Sequence, residues 1–170
     1  ASCLVGSEMC IRDRRKAVCE YIDEEYGHEQ WILNDIAACG GDAEAVRLGQ
    51  PSQAIELMVS YLYDTIARGN PVGLFGMVNV LEGTSIALAT QAAGTIQQRL
   101  ALPPQAFSYL TSHGALDIGH MQHYRELMNR LERDEDKAAV IHVSKVVYRL
   151  YADMFRGLPR TAVSYTHLTL

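Results

Sequence analysis

Basic clusters, cysteines, prolines and tryptophans are all scarce in this sequence, and each scarcity removes a class of protein. Fifteen Lys and Arg face 20 Asp and Glu, giving a formal net charge of −5 with no extended basic block. A chain with that balance is poorly suited to gripping a phosphate backbone, so nucleic acid is not an expected partner. Four cysteines in 170 residues are too few for a disulfide-stapled mini-protein. Thirteen glycines and five prolines exclude a collagen-like fibre or a low-complexity tail. What is plentiful is apolar: 48% of residues are hydrophobic and 21% charged, in a length that suits one domain with a sizeable core.

The two ends read differently from the middle. Residues 1–14 (Ala-Ser-Cys-Leu-Val-Gly-Ser-Glu-Met-Cys-Ile-Arg-Asp-Arg) carry no period that continues past Arg15, and residues 162–170 (Ala-Val-Ser-Tyr-Thr-His-Leu-Thr-Leu) continue none from the helix before them. Both strings resemble translated sequencing-adaptor read-through at the ends of open reading frames from metagenomic assemblies; the alternative is a pair of frayed termini. They are expected to be non-native flanks, and no role is assigned to Cys3, Cys10 or His167. The segment 15–161 is then expected to be a fragment cut at both ends. Arg12 and Arg14 offset Glu8 and Asp13, so the segment keeps the charge of −5. Its two cysteines, Cys19 and Cys39, lie far apart on what reads as one helix. No disulfide framework is implied, no secretory signal is visible, and a reducing cytoplasm is the expected compartment.

Helical spacing runs through the rest. Val18, Ile22, Tyr26, Ile32 and Ile36 predict a helix over 15–39, ended by Gly40-Gly41. Asp42 is placed to cap a short turn through Val46. Pro51-Ser52 opens a helix to Arg68, with Ile55, Met58, Val59 and Leu62 on one face. Residues 72–100 contain no proline and predict a third helix, broken by Leu102-Pro103-Pro104. Further helices are expected over 111–133 and 134–156, the last with Val140, Val143, Val147, Leu150, Tyr151 and Met154 on one face. No strand alternation and no internal repeat is present. The expected fold is all-α, a bundle of about six helices. The segment 72–98 is apolar enough to raise a membrane span, but Glu82, Asn79 and several Gly, Ser and Thr interrupt it, so no span is expected.

Three features carry chemistry. Between Arg68 and Arg99, Glu82 is the only charged residue. A lone carboxylate in such a helix must be neutral, paired or bound to a cation, because an unpaired buried charge costs several kcal/mol. Either a metal or a hydrogen-bonding Tyr or Arg from a neighbouring helix would satisfy it. His113, Asp117 and His120 fall at i, i+4 and i+7, one face of one helix. Two imidazoles and a carboxylate there suit a transition metal such as iron or manganese, whereas a solvated stripe is normally Lys and Glu. Glu25-x-x-His28 places another carboxylate and imidazole one turn apart, as Asp117-x-x-His120 does later. Two acid-x-x-His pairs plus an isolated inward Glu match the ligand logic of carboxylate-bridged dinuclear sites in helical bundles.

Taken together, Glu24-Glu25-Tyr26-Gly27-His28-Glu29-Gln30-Trp31, Leu81-Glu82-Gly83-Thr84-Ser85 and His113-x3-Asp117-x2-His120 resemble the haem-oxygenase-like non-haem diiron oxidases and oxygenases. This family, often called iron-containing redox enzymes, shares its fold with the thiaminase-like TenA proteins. The resemblance covers essentially all of 15–161. It implies iron ligation by His28, Glu82, His113, Asp117 and His120. The family's first Glu often lies seven residues before its His, where this chain has Tyr21; Glu25 or Glu24 must then take that role, and Glu25 is the one expected. The family normally has a helix or more ahead of residue 15, so part of the pocket wall is expected to be absent.

The resemblance further implies two ferrous ions, with manganese as a substitute, and O₂ as co-substrate in oxidation of a fatty acid, amino acid or amine. Phe75, Met77, Val78 and Ile86 are candidate pocket walls. His123 reads equally as a neighbour of the site or as surface, and His142 as a solvated or rim histidine. A homodimer is plausible on an apolar helix face. Competing readings are a metal-free TenA-like or quinone-synthase-like enzyme and a non-catalytic helical interaction module. A thiaminase-like hydrolase needs a nucleophilic Cys, and Cys19 and Cys39 lie away from the His-rich face. Haem oxygenase itself needs one proximal His and no carboxylate cluster.

Overall fold

The computed structural model describes residues 2–158, with side chains for 12–114 and 117–158. Among them are seven α-helices and no strand: α1 (Ser2–Glu25), α2 (His28–Ala38), α3 (Ala43–Arg47), α4 (Gln53–Arg68), α5 (Leu74–Leu100), α6 (Ser108–Asn129) and α7 (Asp134–Arg156). The flank expected over 162–170 lies outside the described residues.

Two corrections concern the first helices. α1 takes in 2–14 without interruption, so the absence of an apolar period there does not mean absence of a helix. Periodicity reports which face is buried; propagation needs only one backbone hydrogen bond per added residue. Asp13 and Arg14 also reach the body of the protein, pairing with Arg130 at 3.3 Å and with Asp136 at 3.4 Å. The single helix expected over 15–39 is instead broken at Gly27, which sits at φ +91°, a left-handed conformation that glycine adopts at little cost. Tyr26 to Ile32 is a step of six residues, out of phase with the spacing of four before it. That slip marks the break. Ile22, Tyr26 and Ile32 are accordingly exposed rather than core.

Local chemistry explains the other boundaries. Asp42 accepts from the Ala45 N–H at 2.9 Å and starts α3, as N-cap residues do. Asn70 caps the turn Pro71–Gly73 by accepting from Val72 N–H at 3.1 Å. Asp134, Glu135 and Asp136 fill the first turn of α7, where the helix dipole favours negative charge. Asp136 is buried between Asn70 Nδ2 at 2.8 Å and Arg14 Nη1 at 3.4 Å.

α5 is the central element, packed on α6 along one side and on α7 along another, while α4 packs on α7 and α2 on α6. Pro71–Leu100 is long and apolar enough to cross a membrane by length and composition. Here Phe75, Val78, Val80, Ala89 and Ala93 are buried among the neighbouring helices. One core cluster joins Ala17, Phe75, Val78, Leu127, Leu131 and Val140; a second joins Val80, Val143 and Val147.

The α5–α7 crossing is tightest at Gly76. A β-carbon there would stand 2.5 Å from the Val140 carbonyl oxygen and 2.7 Å from Ser144 N. Ser144 Oγ donates to the Gly76 carbonyl at 3.2 Å. Because both obstacles are backbone, Gly76→Ala must push the helices apart, and a loss of about 3 kcal/mol is expected, the upper end for overpacking. Gly94, with nothing within 4 Å of its β-carbon position, should instead gain about 0.5–1 kcal/mol as alanine through helix propensity. Urea midpoints of the two variants check the contrast.

Candidate metal centre

The site forms where the α1–α2 break meets the inward faces of α5 and α6. Glu24 and Glu25 close α1, and His28 opens α2. The turn at Gly27 folds His28 back, so its Nδ1 lies 3.0 Å from Glu25 Oε2. The acid-x-x-His pair therefore spans a helix break rather than one continuous helix. Glu82, at the middle of α5, is 4% exposed. Helical spacing on α6 turns His113, Asp117 and His120 towards it, and Asp117 is 1% exposed.

Glu25 lies between the two ends of this cluster. Its Oε2 is 3.5 Å from His113 Nε2 as well as 3.0 Å from His28 Nδ1, and its Oε1 is 4.0 Å from His120 Nδ1. His120 Nδ1 also lies 3.7 Å from Glu82 Oε1 and 3.8 Å from Asp117 Oδ1, and its Nε2 is 3.3 Å from Glu24 Oε2. Two sets of donor atoms result, each within 4.8 Å of one another: Glu25, His28 and His113, and Glu25, Glu82 and His120. Glu25 belongs to both. Asp117 stands beside the second set, and Glu24 at its outer edge.

Hydrogen bonding leaves these atoms unspent. Glu82 Oε1 and Oε2, His113 Nε2, Asp117 Oδ1 and His120 Nδ1 are buried and have no hydrogen-bond partner among the described residues. Among the described residues no lysine or arginine pairs with Glu24, Glu25, Glu82 or Asp117. His113 Nδ1 lies 3.0 Å from the Tyr109 carbonyl oxygen; donation there leaves the Nε2 lone pair facing Glu25. The Trp31 ring stacks on His28 at 4.1 Å and the Tyr109 ring lies 4.0 Å from that of His113. Orphaned buried acceptors are costly, and a carboxylate–imidazole set of this kind suits iron or manganese. The residues present fit a metal.

The electrostatics agree. Burial, then the charges of Asp117, Glu25 and Glu24, push the Glu82 carboxyl up to about 8. Burial also raises Asp117, opposed by a hydrogen bond from Ser85 and by His113 and His120. Tyr21 is held far above the ordinary phenol range by burial and then by Glu82, Glu25 and Asp117. Acidic groups are thus gathered where burial and mutual repulsion favour taking up a proton or a cation.

A pocket of about 530 Å³ opens beside the second donor set, between α1 on one side and α5 and α6 on the other. Glu82, His120 and Glu24 lie on its wall, with Tyr21, Phe75, Val78 and Leu127 among its neighbours. Of the wall candidates from sequence, Phe75 and Val78 line it. Met77 packs in the core and Ile86 lies at the surface, because α5 turns those positions away. His123 is exposed at the pocket, and His142 is exposed on α7. Cys19 and Cys39 are free, exposed and outside the lining. Sequence reasoning gave no role to Tyr21, Ser85 or Tyr109. Tyr21 precedes Glu25 by four residues and Tyr109 precedes His113 by four, so helical spacing from these candidate residues was the available signal.

The described residues form an all-helical bundle around a carboxylate–histidine cluster of the kind that could hold a metal. The chain belongs to the iron-containing redox enzyme family, which it matches over residues 2–152. It is similar to a solved domain of unknown function with a haem-oxygenase-like fold from Shewanella denitrificans OS217, at 30% identity and a TM-score of 0.70. That match covers 81% of this chain and 61% of the other, so the chain spans less than two thirds of that relative's length. No curated protein matches it. The fold is haem-oxygenase-like.

Proposed function

We propose that this chain holds two ferrous ions, shared across Glu25, and activates O₂ to oxidise a small organic substrate of the fatty-acid, amino-acid or amine class. The observation that carries the reading is the pair of donor sets meeting at Glu25, with buried donor atoms that no hydrogen bond among the described residues satisfies. When bound, iron supplies the redox electrons and open-shell character that let O₂ react with a closed-shell organic molecule.

The chain's own residues divide the remaining work. His28 and His113 hold an enclosed position, packed against Trp31 and Tyr109. Glu82, His120 and Asp117 hold a position beside the pocket, where substrate has access. Carboxylates favour the higher oxidation states, imidazoles fix geometry, and Phe75, Val78 and Leu127 limit water at the reacting end of the substrate. The thiaminase-like reading lacks its nucleophile, since no cysteine lines the pocket among the described residues, and a packing-only module leaves the orphaned atoms unexplained.

Oxygen uptake by the reconstituted full chain tests the proposal. Ferrous-loaded protein is expected to consume O₂ in proportion to bound iron, and zinc-loaded protein to consume none. Uptake no faster than that of free ferrous ion under the same conditions would refute it.

A further inference from the structure

Asp35 lies on α2 seven residues after His28, so both side chains leave the same face of that helix. It is 9% exposed and reaches across to the start of α6. Oδ1 accepts from Ser108 N–H at 3.0 Å and from Ser108 Oγ at 2.5 Å, and Oδ2 accepts from Tyr109 N–H at 2.9 Å. The position before α6, Phe107, offers no side-chain cap of its own. The end of α6 is therefore defined by the helix that carries His28. Tyr109, so held, is the residue whose carbonyl faces His113 Nδ1 at 3.0 Å. The His28 and His113 rings lie 4.9 Å apart, edge to face.

We propose that Asp35 is a positioning residue for His113: by clamping Ser108 and Tyr109 to α2, it sets the rotation of α6 at which His113 Nδ1–H stays on the Tyr109 carbonyl and Nε2 faces Glu25. Its consequence for iron rests on the metal centre proposed above; the geometry itself does not. An N-cap normally comes from the chain just before its helix. This one crosses from another helix, with both carboxylate oxygens engaged in charge-assisted bonds at the positive end of α6. Partners that orient a liganding imidazole typically change metal affinity 10–100-fold when lost.

The test uses the full chain as wild type, Asp35→Asn and Ser108→Ala. Asn offers one acceptor oxygen for two backbone N–H groups, whereas Ser108→Ala removes only the hydroxyl bond. In metal-free protein, above the imidazole titration range, ring ¹⁵N shifts report the His113 tautomer. Wild type is expected to show the Nδ1–H form, Ser108→Ala a partial shift away from it, and Asp35→Asn a mixture, with His120 unmoved. Cobalt(II) binding at the enclosed position is expected to weaken about 10-fold or more in Asp35→Asn. A lowered melting temperature with an unaltered His113 signature would make Asp35 a structural cap only and overturn the proposal. If Asp35→Asn does not fold, an unaltered His113 spectrum in Ser108→Ala overturns it equally. Should wild type bind no cobalt(II), the metal reading fails, and the tautomer comparison still decides the role of Asp35.

Discussion

Glu25→Ala is expected to strip the protein of both metal positions while leaving it folded, and to raise the melting temperature of the metal-free form. Both donor sets contain Glu25, whose Oε2 faces His28 and His113 and whose Oε1 faces His120. Losing it leaves two imidazoles at one position, and at the other Glu82, Asp117 and His120 without the carboxylate that links them to the first. Affinity should fall by at least about 100-fold, the upper end of what losing a mere supporting partner costs. The stability effect has the opposite sign. Glu24 and Glu25 close α1, where the helix dipole disfavours negative charge, and Glu25 adds to the charge that raises Glu82 and Asp117. Metal analysis after equilibrium dialysis, beside melting curves of the apoprotein, checks both halves. Glu24→Ala touches only the outer edge of the second set and should weaken binding far less.

The second large effect belongs to Glu82. Its carboxyl is pushed up to about 8 from an ordinary 4.5, so between those values the folded apoprotein binds more protons than the unfolded chain. The contribution of Glu82 to apoprotein stability is therefore fully present below about pH 4.5 and lost as pH rises towards 8. Metal binds the ionised form, so loading the site releases a proton, and affinity should rise about tenfold per pH unit up to that value before levelling. Glu82→Gln keeps the shape and removes the charge. It should abolish the Glu82-dependent decline, leave the apoprotein more stable at alkaline pH, and lose the position beside the pocket. Denaturant midpoints across pH for wild type and Glu82→Gln, with proton release measured on metal addition, test this. A wild-type stability that does not fall relative to that of Glu82→Gln over the same interval would contradict it.

Stability given up for function in this way explains which parts of the molecule the sequence disclosed. The bounds of α7, 134–156, follow from an acidic first turn and an uninterrupted valine stripe, because local charge and burial agree there. The acidic and imidazole residues of α6 and α5 were equally legible, since a lone Glu82 in an apolar helix and His113, Asp117 and His120 on one face violate local rules without local compensation. The break at Gly27 was harder to see, because Glu25-x-x-His28 mimics a continuous turn. It produces the contact by a different route, folding the start of α2 back on the end of α1. Long-range contacts outside that cluster were not legible. Asp35 meets Ser108 73 residues away, and the pocket wall joins Tyr21 and Glu24 of α1 to Phe75 and Glu82 of α5 and His120 and Leu127 of α6.

The most direct test of the shared-carboxylate centre is an anaerobic ferrous titration of the metal-free protein, read by bound iron per chain. Two irons per chain for wild type, falling to none in Glu25→Ala, is the expected result. Saturation at one iron, or binding that survives in Glu25→Ala, would contradict a centre built across that residue.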